Sequence, residues 1–427
     1  MFFRNSFQLL FVAAAAILLK PACMCADELS SLGSPPNWQT LDPYQNTITR
    51  EAFLEELTQV YSIGESYKLT MDVQLDHVRI KTAPGTWMAL LFRQSNQPQP
   101  TIKRYWRSRA EILAAAQKSP NKPLSGLRIA LDPGHLGGRW AKMEERWYTL
   151  PVGGKPVTEG DMTLLVSQML AKQLKALGAK VMHARSSTAP ITSKRPKDFE
   201  YLARADLLRM GIQNPVLTYP DGAPPKERSR TLQWHSEKYF YRLSEIRARA
   251  DLVNKRLKPD LALCLHFNAE HWGDPSEPEF VPRNHLHFLI NGAYNISELG
   301  NHDERYQMLM RLLQRMHGEE RPLSEMMAQH MARHTQLPAY QYTTNNVKRP
   351  SKNPYVYARN LLANRLFECP VIYFEPYVMN SEEVYARVQA GHYEGKRLVH
   401  GQERPSLYHE YVEGVVQGLL AYYQPKP

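Results

Sequence analysis

Two histidines and two glutamates stand where a chain that alternates strands with helices would gather them. Asp132-Pro-Gly-His135 follows the apolar run Leu127-Arg-Ile-Ala-Leu131, His266-Phe-Asn268 follows Leu261-Ala-Leu-Cys-Leu265, and Glu375 ends Val371-Ile-Tyr-Phe374. Glu159 opens the stretch from Thr158 to Leu177, whose Met162, Leu165, Val166, Met169, Leu170, Leu174 and Leu177 recur at helical spacing before Gly178. In open α/β sheets reactive groups collect at the carboxyl edge of the strands, where loops converge over a rigid base. Two imidazoles and one carboxylate with a fourth position left open are what a catalytic zinc requires. His135, Glu159 and His266 fit that role, which predicts one Zn²⁺ per chain. Glu375 is then the second-sphere carboxylate, taking a proton from the attacking water and returning it to the leaving amine. Spacing alone is a weak warrant, because the chain holds 15 His and 42 Asp and Glu. Glu144 and Glu145 lie in the same interval and compete with Glu159, which is preferred because it alone heads the amphipathic helix.

The elements that would position these groups are strands alternating with helices from Leu127 onward, which predict an α/β fold: a mostly parallel twisted sheet with helices on both faces. Further strands are expected at Lys180 to Ala184 and His285 to Asn291, and helices at Ser244 to Leu257, Glu304 to His317, Ser324 to His334 and Ser406 to Tyr423. Thr158 with Asp161 three residues later resembles a capping box. Residues 27–125 differ in character: a helical pattern at Arg50 to Tyr61, then alternating Leu69, Met71, Val73, Val78 and Ile80. They predict a small α+β N-terminal module, leaving 126–427 as the catalytic domain. Within that domain the stretch near 187–242 is longer than a compact α/β connection needs and reads as a surface insertion, a lid or substrate wall.

With 427 residues, 43% hydrophobic and 10% aromatic, the chain can bury one large core and a second small one, which excludes wholesale disorder. Residues 1–26 read as a secretory signal: Arg4, an apolar stretch from Phe7 to Leu19 too short to span a bilayer, then small residues near Ala22 and Ala26. An exported protein, periplasmic or extracellular, is expected. Cys23 and Cys25 offer a lipid-anchoring site, though Lys20-Pro-Ala22 matches poorly what precedes a lipidated cysteine. Cys264 and Cys369 sit in apolar strand-like runs and are expected to be buried free thiols. The net charge of +11 is spread without long runs. It suits polyanionic surroundings, and an exported chain meets cell-wall polymers before nucleic acid.

Leu131-Asp-Pro-Gly-His135-Leu-Gly-Gly138 resembles the opening motif of the type 3 N-acetylmuramoyl-L-alanine amidases. Later pieces are similar to that family's in order: Glu159 before the first helix, a strand ending in Arg185, a helix with Arg247 and Ala250, Cys264-Leu-His266-Phe-Asn268-Ala269, and Phe374-Glu375-Pro-Tyr-Val-Met-Asn380-Ser-Glu382. The resemblance spans Leu127 to Tyr423. It implies zinc on His135, Glu159 and His266, Glu375 as the catalytic carboxylate, and peptidoglycan as substrate, cut between N-acetylmuramic acid and L-alanine. Leu136 stands where the family more often has glycine, and the stretches near 140–156, 187–242 and from Asn295 to Pro354 are longer than that family usually has. Alternatives are a zinc carboxypeptidase on the stem peptides, or a peptidoglycan-binding protein that keeps the fold without turnover. An activator or wall-binding partner is not identified. Arg185, Arg247 and Arg249 are candidates for substrate carboxylates, and Trp140, Trp147, Trp234 and Trp272 for a rim suited to sugar rings. Asn268 and Asn380 either orient ligands or cap their loops.

Overall fold

The computed structural model describes residues 29–116, 122–150, 153–271 and 279–424. The expected leader with Cys23 and Cys25, and Trp272, lie outside them. Helix α1 (Arg50–Glu56) begins on Thr49, whose side chain accepts the Ala52 N–H, and continues through a wider turn to Tyr61. Strands β1 (Met71–Val73), β2 (His77–Ala83) and β3 (Thr86–Leu91) form an antiparallel sheet, and α2 (Arg109–Ala116) follows. The exposed Trp87 and Leu91 hide β3 from an alternation argument.

The remaining elements run in order as β4 (Arg128–Pro133), β5 (Trp147–Tyr148), β6 (Val157–Thr158), α3 (Glu159–Ala176), β7 (Lys180–His183), α4 (Glu200–Arg209), α5 (Pro225–Arg228), α6 (Leu232–Lys238), α7 (Glu245–Leu252) and β8 (Leu261–Leu265). Then come β9 (Leu286–Ile290), α8 (Ile296–Gly300), α9 (His302–Leu313), α10 (His317–Thr335), β10 (Val356–Ala358), α11 (Leu362–Leu366), β11 (Val371–Pro376), α12 (Glu382–Ala390), β12 (Lys396–Val399), β13 (Gln402–Pro405) and α13 (Leu407–Tyr423). The central sheet has six strands in the order β10-β9-β11-β8-β4-β7, parallel except between β9 and β11. All five residues of β8 are buried, as a strand covered on both faces requires.

Each face has its own cover. Ile129, Leu131 and Leu263 pack with side chains of α3, α10 and α13, whereas Ala130, Ala262, Cys264 and Val371 meet Ala250, Val253, Trp106 and Phe367. Helices α10 and α13 approach closely because α13 carries glycines at the contact. A Cβ on Gly418 would lie 2.9 Å from the Met327 Cα. Side chains of the N-terminal region, among them Leu41, Phe53, Val60 and Ile80, belong to the same contiguous core as the central sheet. Asp260, just before β8, ties the regions further by accepting from Arg107 and Arg128.

Two local expectations change. Thr158 makes no side-chain cap, and Asp161 instead accepts the Gly138 N–H at 2.9 Å, so it braces the loop after β4. The helix expected from Ser244 starts at Leu232 and reaches Leu257 through wider turns at Tyr239–Ser244 and Val253–Leu257. The 187–242 stretch therefore contributes the first half of a continuous helix as well as surface. Cys264 and Cys369 are buried free thiols. Among the described residues no helix is long and apolar enough to cross a membrane.

Candidate metal centre

Strands β4, β8 and β11 are neighbours and parallel, with Pro133 and Phe374 both in register with Leu265. His135, His266 and Glu375 lie one or two residues beyond those positions, so they reach the same edge of the sheet. Gly134 continues the ladder with its N–H on the Leu265 carbonyl at 2.8 Å. A Cβ there would sit 2.1 Å from the His266 ring, so only glycine lets the chain pass. His135 follows in the left-handed region at φ 57°, a strained state for a non-glycine residue of the kind that collects at functional sites.

Glu159 arrives from the side. The short hairpin pairing Trp147 with Thr158 and Tyr148 with Val157 folds the 140–156 loop back on itself and delivers the first residue of α3 beneath the two imidazoles. His135 Nε2 lies 3.3 Å from Glu159 Oε2, and His266 Nδ1 lies 3.2 Å from Glu159 Oε1. One donor atom from each of the three residues falls within 4.8 Å of the others. Two ligands about 2.1 Å from a tetrahedral ion stand roughly 3.4 Å apart, so this donor set fits zinc.

The surroundings prepare those donors. Burial, joined by the positive charges of Arg146 and Arg249, drives the His135 imidazole well below its usual value against the pull of Glu159. It therefore offers a lone pair near pH 7. Burial alone would raise Glu159, but the hydrogen bond from His266 and the charge of Arg146 oppose it and keep the carboxylate below its usual value. The His266 ring stacks on Tyr373, with centroids 4.2 Å apart. Tyr373 lies two residues before Glu375 and thus on the same strand face, a signal the sequence offered.

Glu144 takes a different place from that of a competing ligand. Its Oε2 accepts the Leu136 N–H at 2.7 Å and lies 3.2 Å from His135 Nδ1, behind the ring rather than in the donor set. Glu145 faces the 187–242 stretch, accepting from Trp234 Nε1 at 3.0 Å and pairing with Arg228 at 3.2 Å. Arg146, which sequence reasoning missed, puts Nε 3.2 Å from Glu159 Oε2.

Glu375 lines the same cavity of about 690 Å³ as the donor set, together with Arg146, Tyr241 and Arg359. Burial and the charge of Glu159 push its carboxyl well above the usual range, while Arg146 and Arg359 pull it back. Arg185 and Arg249 are scaffold rather than substrate donors. Arg249 pairs with Asp132 at 3.1 Å and donates to the Pro133 carbonyl at 2.9 Å, and Arg185 donates to the Pro133 and Gly160 carbonyls. Arg247 lies outside the cavity, donating to Ser30 and the Ser31 carbonyl. The Asn380 side chain brackets Glu270 through its N–H and carbonyl, and Asn268 accepts from its neighbour Ala269. None of Trp140, Trp147 and Trp234 lines the cavity. Trp140 packs on Phe240, and Trp147 faces an adjoining hollow with Lys142 over its ring.

No family model matches the chain, and no curated protein does. Its sequence is 14% identical to the solved N-acetylmuramyl-L-alanine amidase Ami1 from Mycobacterium abscessus, with a TM-score of 0.38 over 70% of this chain and 99% of that one. AmiC2 of Nostoc punctiforme gives 14% identity and a TM-score of 0.35 over 70% and 98% of the two chains. An amidase from Clostridium difficile 630 gives 12% and 0.34 over 69% and 96%. These three solved structures are N-acetylmuramoyl-L-alanine amidases, at a likeness too distant to transfer an activity.

Proposed function

We propose that the chain is an exported zinc-dependent amidohydrolase that cuts the amide between N-acetylmuramic acid and L-alanine in peptidoglycan. The observation that carries the chemistry is the meeting of His135, Glu159 and His266 within 4.8 Å at a sheet edge whose cavity Glu375 also lines. The substrate follows from the ordered motifs around those residues. His135, Glu159 and His266 would hold the ion. Zinc bound there supplies Lewis acidity and lowers the pKa of a water toward ~7.

The chain's own residues do the rest. Glu144 fixes the His135 ring by accepting at Nδ1, and Tyr373 fixes the His266 ring by stacking. Glu375, held at a raised pKa by burial, takes the proton of the attacking water on a carboxylate oxygen and hands it to the alanine nitrogen as the C–N bond breaks. Arg146 and Arg359 place guanidinium charge on the cavity wall, suited to the oxygen on which negative charge develops and to substrate carboxylates.

The test is digestion of purified peptidoglycan with wild type and Glu375→Ala side by side, products identified by mass and bound zinc measured in both. Wild type should release intact stem peptides beginning with L-alanine. The variant should keep its zinc and lose about 10²–10⁴-fold in rate. Cleavage inside the stem peptide would replace this reading with a carboxypeptidase, and a zinc-free, inactive wild type with a binding protein.

A further inference from the structure

A second cluster of metal-ligand type stands on the C-terminal part of the chain, built by other elements than the first. His392 follows α12, Glu394 precedes β12, and His409 lies in the first turn of α13. His392 Nε2 and His409 Nε2 are 2.8 Å apart, and a single oxygen, Glu394 Oε1, lies 4.0 Å from the first and 3.7 Å from the second. The three atoms form a compact triangle within 4.8 Å overall. Its edges bracket the roughly 3.4 Å between two ligands of a tetrahedral ion.

Hydrogen bonding explains only one edge of that triangle. An N–H···N contact accounts for the two imidazoles when they take opposite tautomers, but Glu394 is beyond hydrogen-bond reach of both. The positions are also held in advance. Ser406 accepts the His409 N–H and caps α13, while Gly391, at φ 69°, ends α12 just before His392. Tyr393, between the other two donors, is buried and donates its hydroxyl to the Arg404 carbonyl at 3.0 Å. Arg404 in turn pairs with Glu410 of α13 at 3.3 Å.

We propose that His392, Glu394 and His409 form a second divalent-metal site that clips the base of the β12–β13 hairpin to the start of α13. Two imidazoles and a carboxylate select a borderline transition ion such as Zn²⁺ over Ca²⁺ or Mg²⁺, which prefer all-oxygen sites. The side chains are 37%, 84% and 28% exposed in chain order, so the remaining positions are open to water. The site is independent of the amidase reading.

The full chain is dialysed against Zn²⁺ alone and bound zinc counted per protein by elemental mass spectrometry. Wild type should hold two equivalents, His392→Ala/His409→Ala one, and His135→Ala one. The triple variant should hold none. Zinc should raise the melting temperature of His135→Ala, and this shift should vanish in the triple variant. Two equivalents retained by the double variant, or none by a folded His135→Ala, would overturn the proposal. Failure of the first centre reads out separately, as a double variant that holds no zinc while His135→Ala holds as much as wild type.

Discussion

Glu144 is the residue whose removal separates a supporting carboxylate from a ligand. One oxygen, Oε2, accepts the Leu136 N–H at 2.7 Å and stands 3.2 Å from His135 Nδ1, and the side chain is 4% exposed. Glu144→Ala removes both contacts. Losing the partner of a metal-bound histidine weakens binding about 10- to 100-fold, or roughly 1.4–2.7 kcal/mol. Leaving the buried Leu136 N–H unsatisfied costs the fold a further ~1–3 kcal/mol. Glu144→Gln is the informative control, since one amide oxygen can accept both bonds and only the charge is lost. Zinc affinity then falls by less than about tenfold and stability is nearly kept. Glu159→Ala, which deletes a donor outright, should lose more than either. Zinc titration against a competing chromophoric chelator at pH 7, with urea denaturation of the same samples, measures both quantities. If Glu144→Ala binds zinc as wild type does, His135 is oriented by something else. If it loses as much as Glu159→Ala, Glu144 is a ligand and the present donor set is wrong.

Gly134→Ala would push a methyl group to 2.1 Å from the His266 ring. It should cost ~1–3 kcal/mol by overpacking and abolish zinc binding at the sheet edge; a folded variant with unchanged zinc affinity there refutes the argument. Asp260→Asn removes the buried carboxylate shared by Arg107 and Arg128 and should destabilise by about 3 kcal/mol, the low end for a broken buried pair because both guanidiniums are about 30% exposed. The two arginines hold the Asp260 carboxyl below its usual range against the opposing effect of burial. Its stabilisation is thus complete above the unfolded value near ~3.9 and is lost as pH falls through the lower folded value. Wild type and Asp260→Asn should differ at pH 7 and converge in acid on urea denaturation, and a gap independent of pH would reject the ion-pair account.

The parts of the fold legible in the sequence are those where one physical rule dominates. Leu261 to Leu265 reads as a strand because every residue is apolar, and it is one because both faces are covered. The helix from Glu159 to Ala176 reads from its stripe of Met162, Val166, Leu170 and Leu174, all buried. That His135, Glu159 and His266 come together was legible for related reasons: the two histidines follow strand ends of a parallel sheet, and Glu159 heads the amphipathic helix. What stayed hidden depends on pairings between distant segments. The antiparallel placement of β9 against β11 follows from neighbours, not from its own apolar run. Arg185 and Arg249 looked like substrate donors because their charge shows in the sequence, whereas the loop carbonyls they satisfy do not.

Three of the residues missed or misplaced at the site share one origin. Glu144, Glu145 and Arg146 all come from the segment that leads from β4 into β5, and Glu145 is held in turn by Arg228 and Trp234 of the other long insertion. The sheet edge thus presents the donors, while the insertions supply the charge around them. That division has a consequence for how the chain can vary. On the proposed reading, a change at Gly134 or His266 alters whether an ion is held at all. A change at Arg146 leaves the donors in place and shifts their electrostatics, since Arg146 holds Glu159 down and tempers the rise of Glu375. Ion affinity and proton affinity at Glu375 are therefore coupled through one guanidinium, because a charge that stabilises ionised Glu159 also stabilises ionised Glu375.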